Sequence, residues 1–199
     1  MGPLKGIKVL EFSGIGPGPY CGMLLADMGA DVIRVNRIND KDKHNKFDIH
    51  NRSKRSIVAD LKNLNSINEL LKLISSVDVV FEGFRPGVME KLGLGPDECF
   101  KQNEALVYGR MTGWGQDGPM SKMAGHDINY IGLSGALHAI GKKDSNPIIP
   151  LNLIGDYGGG GMMLAMGILA AVISSIKTGK GQVVDSAMID GSLSLMSLF

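Results

Sequence analysis

Two side chains carry the strongest chemical signal. His126 lies in Ala124-Gly125-His126-Asp127-Ile128-Asn129-Tyr130, after a glycine and before a predicted helix. A helix N-terminus favours a neutral imidazole, which suits a base. A structural histidine is the plainer alternative. Asp156 is the sole charged residue between Ser145 and Ile176, and four glycines follow shortly after it. A carboxylate in so apolar a stretch is costly unless it is paired or hydrogen-bonded. A helix N-terminus provides that support, so Asp156 reads either as an N-cap or as a functional carboxylate. The neighbouring glycines favour the second reading, because they let a ligand approach the backbone closely.

Anion recognition is the second theme. Gly14-x-Gly16-x-Gly18 resembles a dinucleotide fingerprint, but the spacing is GxGxG and two prolines interrupt it. A tight turn and a phosphate cradle both remain open. The second strand ends in Asn36 and Arg37 rather than in an acidic residue, which disfavours NAD and suits a phosphorylated ribose. Residues 37–62 carry eight Lys/Arg against four Asp. The run reads as a solvated loop or as an anion-recognition rim. Met120, Met123, Met162, Met163 and Met166 cluster in sequence around His126 and Asp156. They read as core, or as an adaptable surface for acyl chains. His44, His50, His138, Cys21 and Cys99 receive no role.

These residues need a frame. Residues 7–12 read as a strand, 13–19 as a Gly- and Pro-rich turn, 20–28 as a helix stopped by Gly29, and 31–35 as a second strand. That β-α-β order implies a parallel sheet with a right-handed crossover. Further strands are predicted over 56–61, 77–81, 106–111 and 182–187. Helices are predicted over 67–74, 88–92, 96–103, 127–137, 162–176 and from 188 onward. The fold class is α/β, a Rossmann-like doubly wound and mostly parallel sheet, with function at the C-terminal ends of the strands.

Composition narrows the partners. With 199 residues, 44% hydrophobic and 21% charged, the chain is globular rather than disordered. Lys plus Arg is 21 and Asp plus Glu is 20, which argues against a nucleic-acid binder. Two cysteines exclude a disulfide scaffold, and no metal-ligand spacing is present. The N-terminus lacks the apolar core of a secretory signal. The apolar part of residues 158–176 is 12 residues long, which suits a core helix better than a membrane span. A soluble, reducing intracellular compartment is expected.

Long stretches carry a resemblance. LKGIKVLEFSGIGPGPYCGMLLADMGADVIRV, KRSIVADLK, FEGFRPGVMEKLGLGP, RMTGWGQDGP, AGHDINY, PLNLIGDYGGGGM and GKGQVVDSAMIDG resemble the N-terminal half of α-methylacyl-CoA racemases, within the family III CoA-transferase (CaiB/BaiF-like) group. The resemblance spans residues 3–199. It implies one large-domain portion over 1–199, with a smaller second domain absent and the chain cut short at 199. It also implies a 2-methylacyl thioester of coenzyme A as substrate, in branched fatty acid or bile acid intermediate metabolism. The implied reaction is 1,1-proton transfer at the α-carbon through an enolate, with His126 and Asp156 as the acid/base residues.

The implied CoA-binding positions are Arg37, Ala59, Asp60, Leu61, Lys62 and Gly125 through Tyr130 (Gly125, His126, Asp127, Ile128, Asn129, Tyr130). Arg85 and Lys91 are implied to assist with phosphates. The Gly-rich segment after Asp156 is expected to offer donors to the enolate oxygen. No metal or redox cofactor is implied, coenzyme A being part of the substrate. An interlocked homodimer is implied, as is a mitochondrial or peroxisomal location in a eukaryote and a cytoplasmic one in a bacterium. No nucleic acid and no membrane partner are implied. Two alternatives stand beside this reading. One is a CoA-transferase with Asp156 as nucleophile, against which His126 argues. The other is an inactive, truncated CoA-binding module.

Overall fold

The computed structural model describes residues 2–12, 14–38 and 47–199. The strands are β1 (Lys8–Phe12), β2 (Asp31–Asn36), β3 (Arg55–Val58), β4 (Val79–Glu82), β5 (Val107–Thr112) and β6 (Gln182–Ala187). Among the described residues they form one parallel sheet in the order β3-β2-β1-β4-β5-β6. The chain winds outward from β1 to β3, crosses back to β4 beside β1, and winds outward again to β6. The order therefore reverses between β1 and β4, where doubly wound sheets open a crevice beyond their strand ends.

Strand alternation feeds two cores. On one face Val9, Val32, Val79, Phe81 and Val107 pack under α1 (Pro17–Asp27) and α7 (Met163–Thr178). On the other face Leu10, Phe12, Val35, Val80 and Tyr108 pack under α2 (Leu64–Ile74), α3 (Val88–Lys91) and α4 (Pro96–Gln102). The remaining helices are α5 (Asp127–Leu133), α6 (Ala136–Ala139) and α8 (Met188–Leu195).

Three departures from the sequence-based expectation have local causes. Helix α1 begins at Pro17, not at residue 20. Proline at the first helical position loses no intrahelical bond, so the Pro-rich turn is the helix start. The helix predicted over 127–137 breaks at Gly135, whose φ of +84° ends it and starts α6. The predicted helix 162–176 is the later part of a longer one. Leu153–Met162 precedes α7 without a break and is π-helical. The whole helix is long and apolar enough, by length and composition, to cross a membrane. One face of it, Leu164, Ala165, Ile168, Ala171 and Val172, packs on the sheet, as expected of a core helix.

A buried ion pair sits beneath α1. Glu11 of β1 faces α1 and is fully buried. Lys54 Nζ donates to Glu11 Oε2 at 2.6 Å and to the Pro19 carbonyl at 2.9 Å. Gly22 makes room, because a Cβ there would stand 2.0 Å from Glu11 Oε2. Burial raises the Glu11 carboxyl and lowers the Lys54 ammonium, while each partner's charge opposes the shift of the other. Such a pair contributes little net stability while intact, but losing one partner strands a buried charge. Lys54→Met is expected to lower unfolding stability by about 3–5 kcal/mol, and Glu11→Gln added to it to restore part of that. Urea denaturation of the parent and the two variants measures this.

Glu82, at the end of β4, is also buried and accepts from Phe84 N–H at 2.6 Å. Burial, only partly offset by that bond and by Arg110, pushes its carboxyl up to about 7. Between the unfolded value near 4.5 and about 7, the folded chain holds a proton that the unfolded chain has released. Stability therefore falls as pH rises through that window. Glu82→Gln keeps an acceptor and removes the charge. It is expected to gain on the order of 2 kcal/mol over the parent above pH 7 and little below pH 4.5, measured by denaturation at both pH values.

Candidate functional site

The crevice at the reversal of strand order is a cleft of about 610 Å³. Its walls come from the C-terminal ends of three neighbouring strands and the loops after them: Phe12 and residues 14–18 after β1, residues 83–86 after β4, and Met111 to Gly113 at β5. The rest of the lining comes from the excursion between β5 and β6. It includes His126, Tyr130, Asn152, Asp156 and Tyr157, with Met188 from the start of α8. His126 and Asp156, thirty residues apart in the chain, thus face one cleft.

His126 caps the N-terminus of α5, and its backbone N–H donates to Asn129 Oδ1 at 2.9 Å. The side chain is exposed to the cleft. Asp156 is in the π-helical segment, fourth residue from its start, and is half-buried. The two are bound through Asp127. The Asp156 N–H donates to Asp127 Oδ2 at 2.8 Å. Burial, followed by the charge of Asp127, raises the Asp156 carboxyl above its ordinary value of 3.8. A charged His126 and a hydrogen bond from the Asp127 backbone pull the other way. Asp127 itself is 4% exposed, and its Oδ1 has no hydrogen-bond partner.

The glycines after Asp156 serve packing. A Cβ on Gly159 would meet Ser192 N at 2.7 Å, one on Gly160 the Met188 side chain at 2.8 Å, and one on Gly161 the Pro17 carbonyl at 2.7 Å. Gly191 mirrors them, with its Cβ position 1.8 Å from the Gly159 carbonyl. They clamp the π-helical segment against α8 and α1, and they are not an open surface for a ligand or an enolate. The start of α1 is the better candidate for that task. Residues 16–18 line the cleft, and Asp156 Oδ2 lies 3.5 Å from where a Gly16 Cβ would stand.

A second cleft, of about 480 Å³, lies beside the first and shares Phe84 with it. Arg37, Ala59, Asp60, Leu61 and Lys62 line it, together with Val88 and Leu92. Strand β3 stops at Val58, three residues earlier than predicted, and that frees residues 59–61 for this wall. The Arg37 guanidinium stands 5.7 Å from the Phe84 ring centroid. The positions expected to hold coenzyme A therefore separate. Arg37 and residues 59–62 form the second cleft, while Gly125, His126 and Tyr130 face the first. Asp127 is buried behind it, and Ile128 and Asn129 line neither cleft. Arg85 lines the first cleft, and Lys91 lines neither.

The basic run is largely structural. Arg52 pairs with Asp27, Lys54 with Glu11, and Arg55 with Asp31. Of the described cations in that run, Arg37 and Lys62 border the second cleft and the others line neither of the two, and Lys41, Lys43 and Lys46 lie outside the described residues. Of the methionines singled out, Met123 lines the first cleft, while Met162 and Met166 are exposed elsewhere. Met111 and Met188 line it unannounced. Among the described residues, no group of three His, Cys, Asp or Glu is placed to hold a metal.

Comparison with known proteins agrees with this frame. Residues 4–198 match CoA-transferase family III. The chain belongs to that family. Mouse α-methylacyl-CoA racemase is 47% identical over 98% of this chain and 50% of its own length. Mouse succinyl-CoA:glutarate CoA-transferase is 30% identical over 99% of this chain and 48% of its own. The crystal structure of a CaiB/BaiF family protein from Brucella suis superposes with a TM-score of 0.90 at 31% identity, over 99% of this chain and 56% of that one. The chain spans about half the length of the family III relatives it matches.

Asp127→Asn keeps an acceptor for the Asp156 N–H but removes the negative charge beside it. The Asp156 carboxyl is expected to titrate lower in this variant than in the parent, read by carbon-13 NMR of its carboxyl carbon.

Proposed function

We propose that the protein is an isomerase that interconverts the two epimers of 2-methylacyl-CoA thioesters by 1,1-proton transfer. The observation that carries this reading is the convergence of His126 and Asp156, from two different helices, on one cleft at the C-terminal ends of β1, β4 and β5. The racemase relative at 47% identity supports it.

Inverting a carbon requires a proton acceptor on one side and a donor on the other. A neutral imidazole takes the α-proton from one epimer, and the Asp156 carboxyl delivers one to the opposite face. The roles exchange in the reverse direction. A carboxyl raised by burial and by Asp127 is a better proton carrier near neutral pH than an ordinary aspartate. As the proton leaves, charge moves to the thioester oxygen. Residues 16–18 at the start of α1 line the cleft, and the positive end of that helix favours the developing charge. The CoA moiety runs across Phe84 into the second cleft, where Arg37 and Lys62 meet its phosphates. Met111, Met123 and Met188 give the acyl chain an adaptable wall.

The test uses the full-length protein and one epimer in deuterated water. Both epimers and α-deuterium should appear, and absence of exchange would overturn the reading. His126→Gln and Asp156→Asn should each slow racemisation by roughly 10²–10⁴-fold. An acyl group trapped on Asp156 by hydroxylamine during turnover would instead establish a transferase.

A further inference from the structure

The residue after Asp156 belongs to a cluster that the proton-transfer scheme does not use. The Tyr157 ring lines the first cleft and stacks on Tyr20, with centroids 4.5 Å apart and planes at 19°. Its hydroxyl and His50 Nε2 share a hydrogen bond of 2.9 Å. His50 stands edge-on to both rings, at 5.7 Å from Tyr157 and 6.4 Å from Tyr20. Its other ring nitrogen, Nδ1, is 3.4 Å from Asp48 Oδ1. The tautomer with the proton on Nδ1 facing Asp48 leaves Nε2 to accept from the tyrosine hydroxyl. Asp48, His50 and Tyr157 then form one chain, from the short 3-10 turn Ile49–Asn51 to the π-helical segment.

Its position matters because Asp156 rides on an uncommon backbone. π-Helical geometry is rare and recurs at functional sites, and here the Tyr157 N–H donates to the Asn152 carbonyl at 3.3 Å within the segment. Asp127 holds the Asp156 N–H on one side. On the other, the next residue is fixed by the Tyr20 stack and by His50, 107 residues away in sequence.

We propose that His50 is a positioning residue for Asp156. Through the Tyr157 hydroxyl it fixes the rotation of the π-helical turn, and with it the aim of the Asp156 carboxylate into the cleft. The inference rests on the proton-transfer reading above for its consequence, though not for its geometry.

The experiment uses the full-length protein with Tyr157→Phe, His50→Leu, the double variant and His50→Gln. Tyr157→Phe removes the hydroxyl and keeps the stack. A small misplacement of a reacting group lowers the chemical step more than binding. Tyr157→Phe and His50→Leu should each lower kcat about five- to fiftyfold, with KM within about twofold. The double variant should be no worse than either single one, because the two side chains act through one bond. His50→Gln, whose amide reaches the same hydroxyl, should recover kcat to within about threefold of the parent.

A parent-like kcat in Tyr157→Phe, multiplying losses in the double variant, or an effect confined to KM would each overturn the proposal. A second measurement needs no turnover. The Asp156 carboxyl, followed by carbon-13 NMR, should titrate at a shifted midpoint in Tyr157→Phe and His50→Leu and at the parent value in His50→Gln. If the parent shows no α-exchange, the reaction assigned above falls, and this titration alone decides the role of His50. An unchanged midpoint in all variants overturns that role.

Discussion

One hydrogen bond decides where His126 and Asp156 stand relative to the cleft. The carboxylate of Asp127 accepts the N–H of Asp156 at 2.8 Å, and the Asp127 backbone reaches back toward the Asp156 carboxylate. Asp127 opens α5, directly after His126, so the bond joins the start of one helix to the first turn of another. A carboxylate accepting at a helix N-terminus satisfies an otherwise orphaned donor and opposes the helix dipole favourably. Here it also brings His126 and Asp156 to one cleft. The cost is that a second negative charge lies beside Asp156 in a half-buried setting, which raises its carboxyl. The contact that assembles the pair therefore also tunes it.

The sheet supplies the place for that contact. Strand order reverses between β1 and β4, so the loops after these strands part and leave a crevice. Glu11 and Lys54 hold the crevice rim from below by tying β1, the segment before β3 and the Pro19 carbonyl together. The glycines at 159–161 and 191 bring the Asp156 helix to backbone contact with α8 and α1. A Cβ at any of these positions would force the packed segments apart.

Much of this was legible in the residues. The alternation of β-α units pointed to a doubly wound sheet with its site at the strand ends, and the isolation of Asp156 in an apolar run singled it out, whereas the Gly-Pro segment, which reads as a turn, is the start of α1. Arg37 and residues 59–62, far apart in sequence, do share one cleft. Other features were hidden for identifiable reasons. Charge counting could not tell Lys54 and Arg55, which are consumed by ion pairs, from Arg37 and Lys62, which face a cleft. Four glycines in a row look the same whether they open a backbone to a ligand or close it against a helix, and here they close it. A π-helical turn has no sequence signature apart from that of an α-helix.

His50 is the sharpest case. It has no companion at ligand or helical spacing, and nothing in its surroundings in sequence marks it. Its partner, Tyr157, was in view, since it directly follows Asp156. A half-buried tyrosine facing a cleft beside a carboxylate must satisfy its hydroxyl, because a buried or half-buried donor without a partner is costly. That partner lies across the fold, in the segment before β3, where His50 is the group in reach. Long-range positioning of this kind is visible only once topology has brought the two segments together. The same topology anchors the chain at Asp156 and Tyr157 to two distant segments, through Asp127 after β5 and His50 before β3. A backbone anchored at two successive residues has little freedom to rotate, which is what the proposed proton transfer would require of the side chain it carries.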